Sequence, residues 1–402
     1  MNAFSKLLHG FLCCLCVVWG AQAAQAAQAA DKALAPVLVG LDGEFGREGA
    51  TSAQSIELGL RAAILQINAA GGVLGGRAVE LVTRDNREIL ARSVANTAEF
   101  AAMPDLVAVF AGRSSPLILA QVQAVHAAKL PYMVPWAAAD AIIDNGMQPN
   151  YIFRLSLRDS LAMPKLLHSA QLRGFDKVGL LLLNTSFGNS NLAAAEKYMR
   201  SVKNQKIVGV DWFNLRDTTL IRQYKKLTDA GAKAVLLSAN YEDAAVLVRE
   251  VAALPPDQRV PIISHWGVSS GTFVKQAGVA LQDVDFSVIQ TFSFFSADKQ
   301  QLAHFMKSAA QISGVQRVED IEAPPGAAHA YDLMHILAKA IQLAGSTERS
   351  AIRDALEKVP EHRGLLKLYK PPFTPTRHEA LGPGELLMAR YSREGVLVPA
   401  QK

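Results

Sequence analysis

Cysteine is nearly absent from this chain of 402 residues, and all three copies (Cys13, Cys14, Cys16) fall near its start. Beyond them no thiol remains for a disulfide, a thiolate metal site or a cysteine nucleophile. The nine histidines form no metal-ligand pattern: there is no HExxH, and His329 and His335 stand six apart, off a shared helix face. Charge of one sign is also lacking. Lys+Arg (41) and Asp+Glu (36) leave a formal +5, and no run of five or six like charges occurs, which excludes an obvious nucleic-acid groove or polybasic membrane patch. Glycine (28) and proline (18) are at ordinary usage, against collagen-like or disordered readings. After the N-terminus no apolar stretch approaches the roughly 20 residues that span a bilayer.

The first 30 residues read as a targeting signal. Lys6 precedes an apolar stretch from Phe11 to Trp19, and Ala-Gln-Ala then repeats from Ala21 to Ala29. A short positive region, a brief apolar core and a small-x-small exit match a secretory signal peptide, with cleavage after Ala23, Ala26 or Ala29. We place residues 1–26 in this segment. Lys6 is the only charge before Asp31, so cleavage takes the formal balance to +4 and removes every cysteine. The expectation is a soluble, monomeric protein in the periplasm.

From Val37 onward the hydrophobic period switches repeatedly. Val37 to Leu41 is an apolar run suited to a strand buried on both faces. Ile56, Leu60, Ile64 and Ile67 then recur at helical spacing. Further strands are expected at Val79–Thr83, Asp105–Phe110 and Leu130–Val134, and the series restarts at Lys177–Leu183. Such alternation predicts an α/β chain with two parallel sheets of five or six strands each. Residues 150–158, 283–295 and the Pro/Gly-rich 371–384 are expected to cross between lobes. Ligands in such sheets bind beyond the carboxyl ends of strands, so two facing lobes would enclose a cleft.

Ile67-Asn68-Ala69-Ala70-Gly71-Gly72-Val73-Leu74-Gly75-Gly76-Arg77, followed by Glu80-Leu81-Val82 and Asp85-Asn86, resembles the periplasmic leucine/isoleucine/valine-binding proteins, the substrate-binding components of ABC importers. Gly112 to Pro116, Pro135 to Asp140, Phe153-Arg154, Asn184 to Gly188 and Ala330-Tyr331-Asp332 resemble later segments of that family in order. The resemblance implies the type I periplasmic binding fold, with two Rossmann-like lobes joined by a multi-strand hinge. We assign residues 36–153 and 292–360 to lobe 1, and residues 154–291 and 361–400 to lobe 2. It also implies solute capture without catalysis, an ABC permease in the inner membrane as partner, and no cofactor. A sensor of the same fold, read by a signalling partner, is the alternative.

The candidate ligand residues are Phe45, Arg113, Ser114, Ser115, Trp136, Ala137, Ala138, Asn240, Tyr241 and Trp266. Ser114-Ser115-Pro116 follows a strand and opens a helix, where free N–H groups and the helix dipole attract an anion; Arg113 would add a charge-assisted bond. Backbone groups of Ala137 and Ala138 would receive polar ligand atoms. Tyr241 matches the family's closing tyrosine. Where the family places a threonine and a glutamate on the ligand's α-amine, this chain has Ala138 and Trp266. A buried ammonium without partners is costly. The expected ligand is therefore a carboxylate-bearing apolar or aromatic solute, amino-acid-like in size.

Two motifs are set aside. Gly71 to Gly76 follows a helix and opens a strand, the reverse of a nucleotide loop. Gly267-Val268-Ser269-Ser270-Gly271 fits the nucleophile-elbow pattern of α/β hydrolases, with Asp283 or Asp332 and His335 or His362 as later partners. His265-Trp266 intervene before the turn, so hydrolysis through Ser269 stays a distant alternative.

Overall fold

The computed structural model describes residues 34–49 and 51–400. The expected signal peptide, its cleavage site and the three cysteines lie outside the described residues.

The first series runs β1 (Val37–Gly43), α1 (Ser52–Ala69), β2 (Val79–Asp85), α2 (Leu90–Ala102), β3 (Leu106–Ala111), α3 (Ser115–Ala127), β4 (Tyr132–Val134) and β5 (Ile152–Arg154). Its five strands form one parallel sheet in the order β2-β1-β3-β4-β5. The second series runs α4 (Asp159–Leu172), β6 (Lys177–Leu183), α5 (Ser186–Met199), β7 (Lys206–Phe213), α6 (Ile221–Asp229), β8 (Ala234–Ser238), α7 (Tyr241–Ala252), β9 (Ile262–Ser264), α8 (Phe273–Ala277) and β10 (Phe286–Gln290). The chain ends with α9 (Lys299–Ser313), α10 (Pro324–Ala344), α11 (Arg349–Leu356), β11 (His362–Arg363), β12 (Leu368–Tyr369), β13 (Leu387–Tyr391) and β14 (Leu397–Pro399). The second sheet has seven strands in the order β14-β13-β10-β9-β8-β6-β7. β13 pairs antiparallel with both β10 and β14, so this sheet is mixed rather than wholly parallel.

Strands buried on both faces explain the continuous apolar runs: β3 is buried at all six positions and β8 at all five. On one face of the first sheet, Leu41, Phe110 and Met133 pack on Ile56 and Leu60 of α1 and on Leu333 and Leu337 of α10. On the other, Val109 and Ile152 meet Phe100 of α2 and Val125 of α3. Helices α1 and α10 touch backbone to backbone at Gly59, where a Cβ would collide with the Ala327 carbonyl. The glycine-rich run is a turn. Gly72 has φ +72, Val73 bridges Arg77, and the Asn68 amide brackets Val79 with bonds of 2.9 and 2.8 Å.

The chain passes between the cores near residues 155–157, 290–292 and 381–386, because Leu155, Phe292 and Leu381 pack in the first core while Leu157, Ile289 and Leu386 pack in the second. Arg154, fully buried at the first crossing, holds both Glu379 oxygens through Nε (3.1 and 2.9 Å) and donates to the Ala137 and Ala139 carbonyls (3.2 and 2.8 Å). The pair ties two of the three crossings together. One expectation is corrected here. Leu365, Tyr369, Phe373 and Ala380 pack in the first core, whereas all of 361–400 was assigned to lobe 2; only the stretch from Leu386 onward joins the second sheet. Asp332 draws the segment back, accepting from the backbone N–H of Leu365 (2.6 Å) and Leu366 (3.0 Å) and from the Tyr369 hydroxyl (2.8 Å).

Candidate functional site

A cavity of about 50 Å³ lies between the lobes at the carboxyl ends of both sheets. By the usual allowance it holds three or four water-sized groups. Eight of the ten expected residues line it: Arg113, Ser114, Ser115, Trp136, Ala137, Ala138, Asn240 and Trp266. Helix N-termini from both lobes converge there. Ser114, Thr185 and Asn240 are the N-cap residues of α3, α5 and α7, and none of their side chains caps its own helix. The Thr185 hydroxyl is buried and without a partner. Three positive helix ends aimed at one small space favour an anion.

Arg113 makes the preference specific. Its side chain is 3% exposed, and Nε and Nη1 make no hydrogen bond. Nη2 donates to both Glu88 oxygens (3.2 and 3.1 Å), and Glu44 stands 3.7 Å from Nε. Glu88 also pairs with Arg47, which pairs with Glu242 of the opposite lobe. The chain Glu44–Arg113–Glu88–Arg47–Glu242 thus bridges the cleft. Within it two arginines face three carboxylates, Glu44, Glu88 and Glu242, and Arg113 Nη1 is the guanidinium nitrogen that faces none of them.

Phe45 and Tyr241 stand apart from the cavity lining. Phe45 is half-buried and packs against Gly43. Tyr241 is buried beneath the Arg113 guanidinium, 5.2 Å from ring centre to carbon, and its hydroxyl donates across the lobes to the Glu48 carbonyl at 3.3 Å. It therefore supports the arginine and joins the lobes. Further lobe-to-lobe bonds run from Gly271 N to the Thr51 hydroxyl (2.7 Å) and from Asp140 N to the Ser190 hydroxyl (3.1 Å). The lobes are described in a closed arrangement.

Trp136 and Trp266 do not stand as separate walls. They stack on each other with centroids 5.2 Å apart and planes 27° off parallel. His329 lies behind Trp266 at 5.4 Å, and Gly326 makes room for Trp136, since a Cβ there would sit 2.9 Å from the indole. His329 donates from Nδ1 to the Pro135 carbonyl (2.8 Å) and accepts at Nε2 from the Thr291 hydroxyl (2.9 Å). Burial lowers its pKa to about 3, so the ring is neutral. The tryptophan pair fills the apolar end of the cleft, which limits how large a guest fits.

The Ala137 and Ala138 carbonyls are already engaged: Arg154 and the Ser156 hydroxyl reach Ala137 (both 3.2 Å), and Asp159 N reaches Ala138 (3.0 Å). The carbonyls of these two residues are thus occupied, and of their backbone groups the N–H groups are the ones left to face the cavity. Glu88, Leu183, Phe187, Leu215 and Gly267 also line the cavity and were not among the expected residues. Glu88 is aimed inward by two successive left-handed residues, Arg87 (φ 50) and Glu88 (φ 58), under an Asn86 side chain that accepts from Glu88 N at 2.7 Å.

Ser269 donates to the Trp266 carbonyl at 2.6 Å, within a short helical turn. Asp332, His335 and His362 belong to the first lobe, so no triad forms with it. Among the described residues no group of three or more metal-ligating side chains is placed to hold an ion, and no helix is long and apolar enough to cross a membrane.

A periplasmic binding protein family model matches residues 35–390. The chain belongs to the periplasmic binding protein family. Solved structures agree in fold. A type 1 periplasmic binding protein from Bordetella pertussis Tohama I is 22% identical, with a TM-score of 0.80 over 91% of this chain and 100% of that one. The branched-chain amino acid substrate-binding protein LivJ from Streptococcus pneumoniae, in complex with isoleucine, is 21% identical (TM-score 0.75, 91% and 100%). A solute-binding protein from R. palustris in complex with 4-hydroxybenzoate is 17% identical (TM-score 0.75, 91% and 96%). No curated protein matches the chain. The family and these structural neighbours are solute-binding proteins rather than enzymes.

Proposed function

We propose that this periplasmic binding protein is the exported solute-binding component of an ABC importer, and that it closes its two lobes on a small carboxylate with a short aliphatic body. Arg113 carries the reading: a buried guanidinium whose Nη1 is unpartnered, lining a cavity where three helix N-termini meet. The carboxylate takes the Nη1 N–H and the hydroxyls of Ser114, Ser115 and Thr185, since the Nε edge of the guanidinium already faces Glu44 and Glu88. Its apolar body rests on the edge of the Trp136–Trp266 stack. Asn240 and Thr185 come from the second lobe, so the anion gains partners only when the lobes meet, and that difference in affinity drives closure. The closed form then docks on the permease. At about 50 Å³ the closed cavity is too small for an aromatic ring, which takes about 150 Å³, so the expectation of an aromatic or branched solute narrows to a short aliphatic body.

Mass spectrometry of the solute retained by gently purified protein tests the proposal. A short aliphatic carboxylate supports it. A neutral sugar, a polyamine, or tight binding of leucine alone among carboxylates overturns it.

A further inference from the structure

A second cavity, of about 320 Å³, opens between the lobes on the other side of the turn that follows β9. Gly267 lines the first cavity and its neighbour Val268 lines this one. Its walls are largely apolar and come from both lobes. Val268, Tyr391 and Leu397 face it from the second, and Phe292, Phe294 and Ile321 from the first. Its size falls in the range of small-molecule sites.

One residue in the lining gives this space a chemical signature. Gln290, at the end of β10, is 1% exposed, and neither its Oε1 nor its Nε2 has a hydrogen-bond partner. Leaving a buried amide unmet at both ends is costly. The other polar side chains deep in the lining are already engaged: Ser269 donates to the Trp266 carbonyl and Ser270 to the Gly267 carbonyl (3.1 Å). Charges along the wall are of both signs, with Lys275 against Glu319 and Glu322, so no single ionic partner is favoured.

We infer that this cavity is a second ligand site, for an uncharged, mostly apolar molecule with one head that both donates and accepts, a carboxamide or a hydroxyl. The head pairs with Gln290, accepting from Nε2 and donating to Oε1. A carboxylate cannot do this, because it has no proton for Oε1. The occupant touches both lobes, so it favours the closed arrangement and raises affinity for the solute in the first cavity; linkage makes the effect reciprocal. This inference uses different residues from the proposed carboxylate site and stands apart from it.

Calorimetric titration of the purified protein with 4-propylbenzamide tests it. One saturable site is expected, and 4-propylbenzoate should bind this cavity at least tenfold more weakly. Gln290→Leu, close in volume, should weaken the amide at least tenfold, as should Val268→Phe, which fills the space. Ser114→Ala should leave it within twofold. Melting curves establish that each variant is folded. Absence of saturable binding overturns the inference. So does an amide affinity unchanged by both Gln290→Leu and Val268→Phe, or one lost with Ser114→Ala, which would move the amide to the first cavity.

Discussion

Replacing Arg113 by methionine separates what the arginine does for the fold from what it does for the guest. In the protein Arg113 sits against Glu44 and Glu88, both largely buried. Removing it strands two carboxylates, and breaking a buried ion pair costs about 3–5 kcal/mol. Glu88 keeps Arg47, and Glu44 keeps the Ser52 hydroxyl, so the loss should fall at the lower end, about 3 kcal/mol. For the guest the count is different. One unpartnered nitrogen, Nη1, meets a carboxylate, and a hydrogen bond to a charged group contributes roughly 1.5–3 kcal/mol. Losing it should weaken binding by about 1.5–3 kcal/mol, at least tenfold. Urea unfolding measures the first quantity and calorimetric titration with the retained solute the second. Adding Glu44→Gln to Arg113→Met should restore part of the stability and none of the affinity. A folded Arg113→Met protein that binds the solute within threefold of wild type would refute the assignment of the carboxylate to this arginine.

Three other substitutions probe the frame around the site. Arg154→Met should destabilise the protein by about 3 kcal/mol in urea unfolding, because buried Glu379 would keep only the more distant Arg158 guanidinium at 3.6 Å; a loss under 1 kcal/mol would show that the crossings do not depend on this pair. Gly59→Ala should cost about 2–3 kcal/mol through overpacking of α1 against the Ala327 carbonyl, read as a lower unfolding midpoint, while an unchanged midpoint would contradict the backbone contact. Asp332 has its pKa raised by burial to about 7 from 3.8, so the native state holds a proton there that the unfolded chain releases. Its contribution is full below pH 4 and is lost as pH rises to 7, by about 4 kcal/mol over the window. The stability of Asp332→Asn relative to wild type should therefore improve by that order between pH 4 and 8, and parallel pH profiles would sink the argument.

Much of the fold is legible in residue order. Apolar runs such as Ala234–Ser238 and the α1 period at Ile56, Leu60 and Ile64 mark strands and helices directly, because each buries a regular face. The turn from Asn68 to Arg77 is legible too, since it needs glycine at left-handed positions. The fate of residues 361–381 is not. Leu365, Tyr369 and Phe373 carry no helix or strand period, and what recruits them is Asp332, a partner some thirty residues earlier. At the site, the N-terminus of α3 could be read from Ser-Ser-Pro, whereas Glu88 could not, because its aim depends on two left-handed residues that nothing local demands. The stacking of Trp136 on Trp266 lies equally beyond the sequence, since it joins side chains from opposite lobes.

Crystals of the protein grown with its co-purified solute would test the grip itself. The solute's carboxylate should lie within hydrogen-bond reach of Arg113 Nη1 and of the Ser114 hydroxyl, with Thr185 or Asn240 completing it from the opposite lobe. A solute seated elsewhere, or one that turns an uncharged group toward Arg113, would contradict the account.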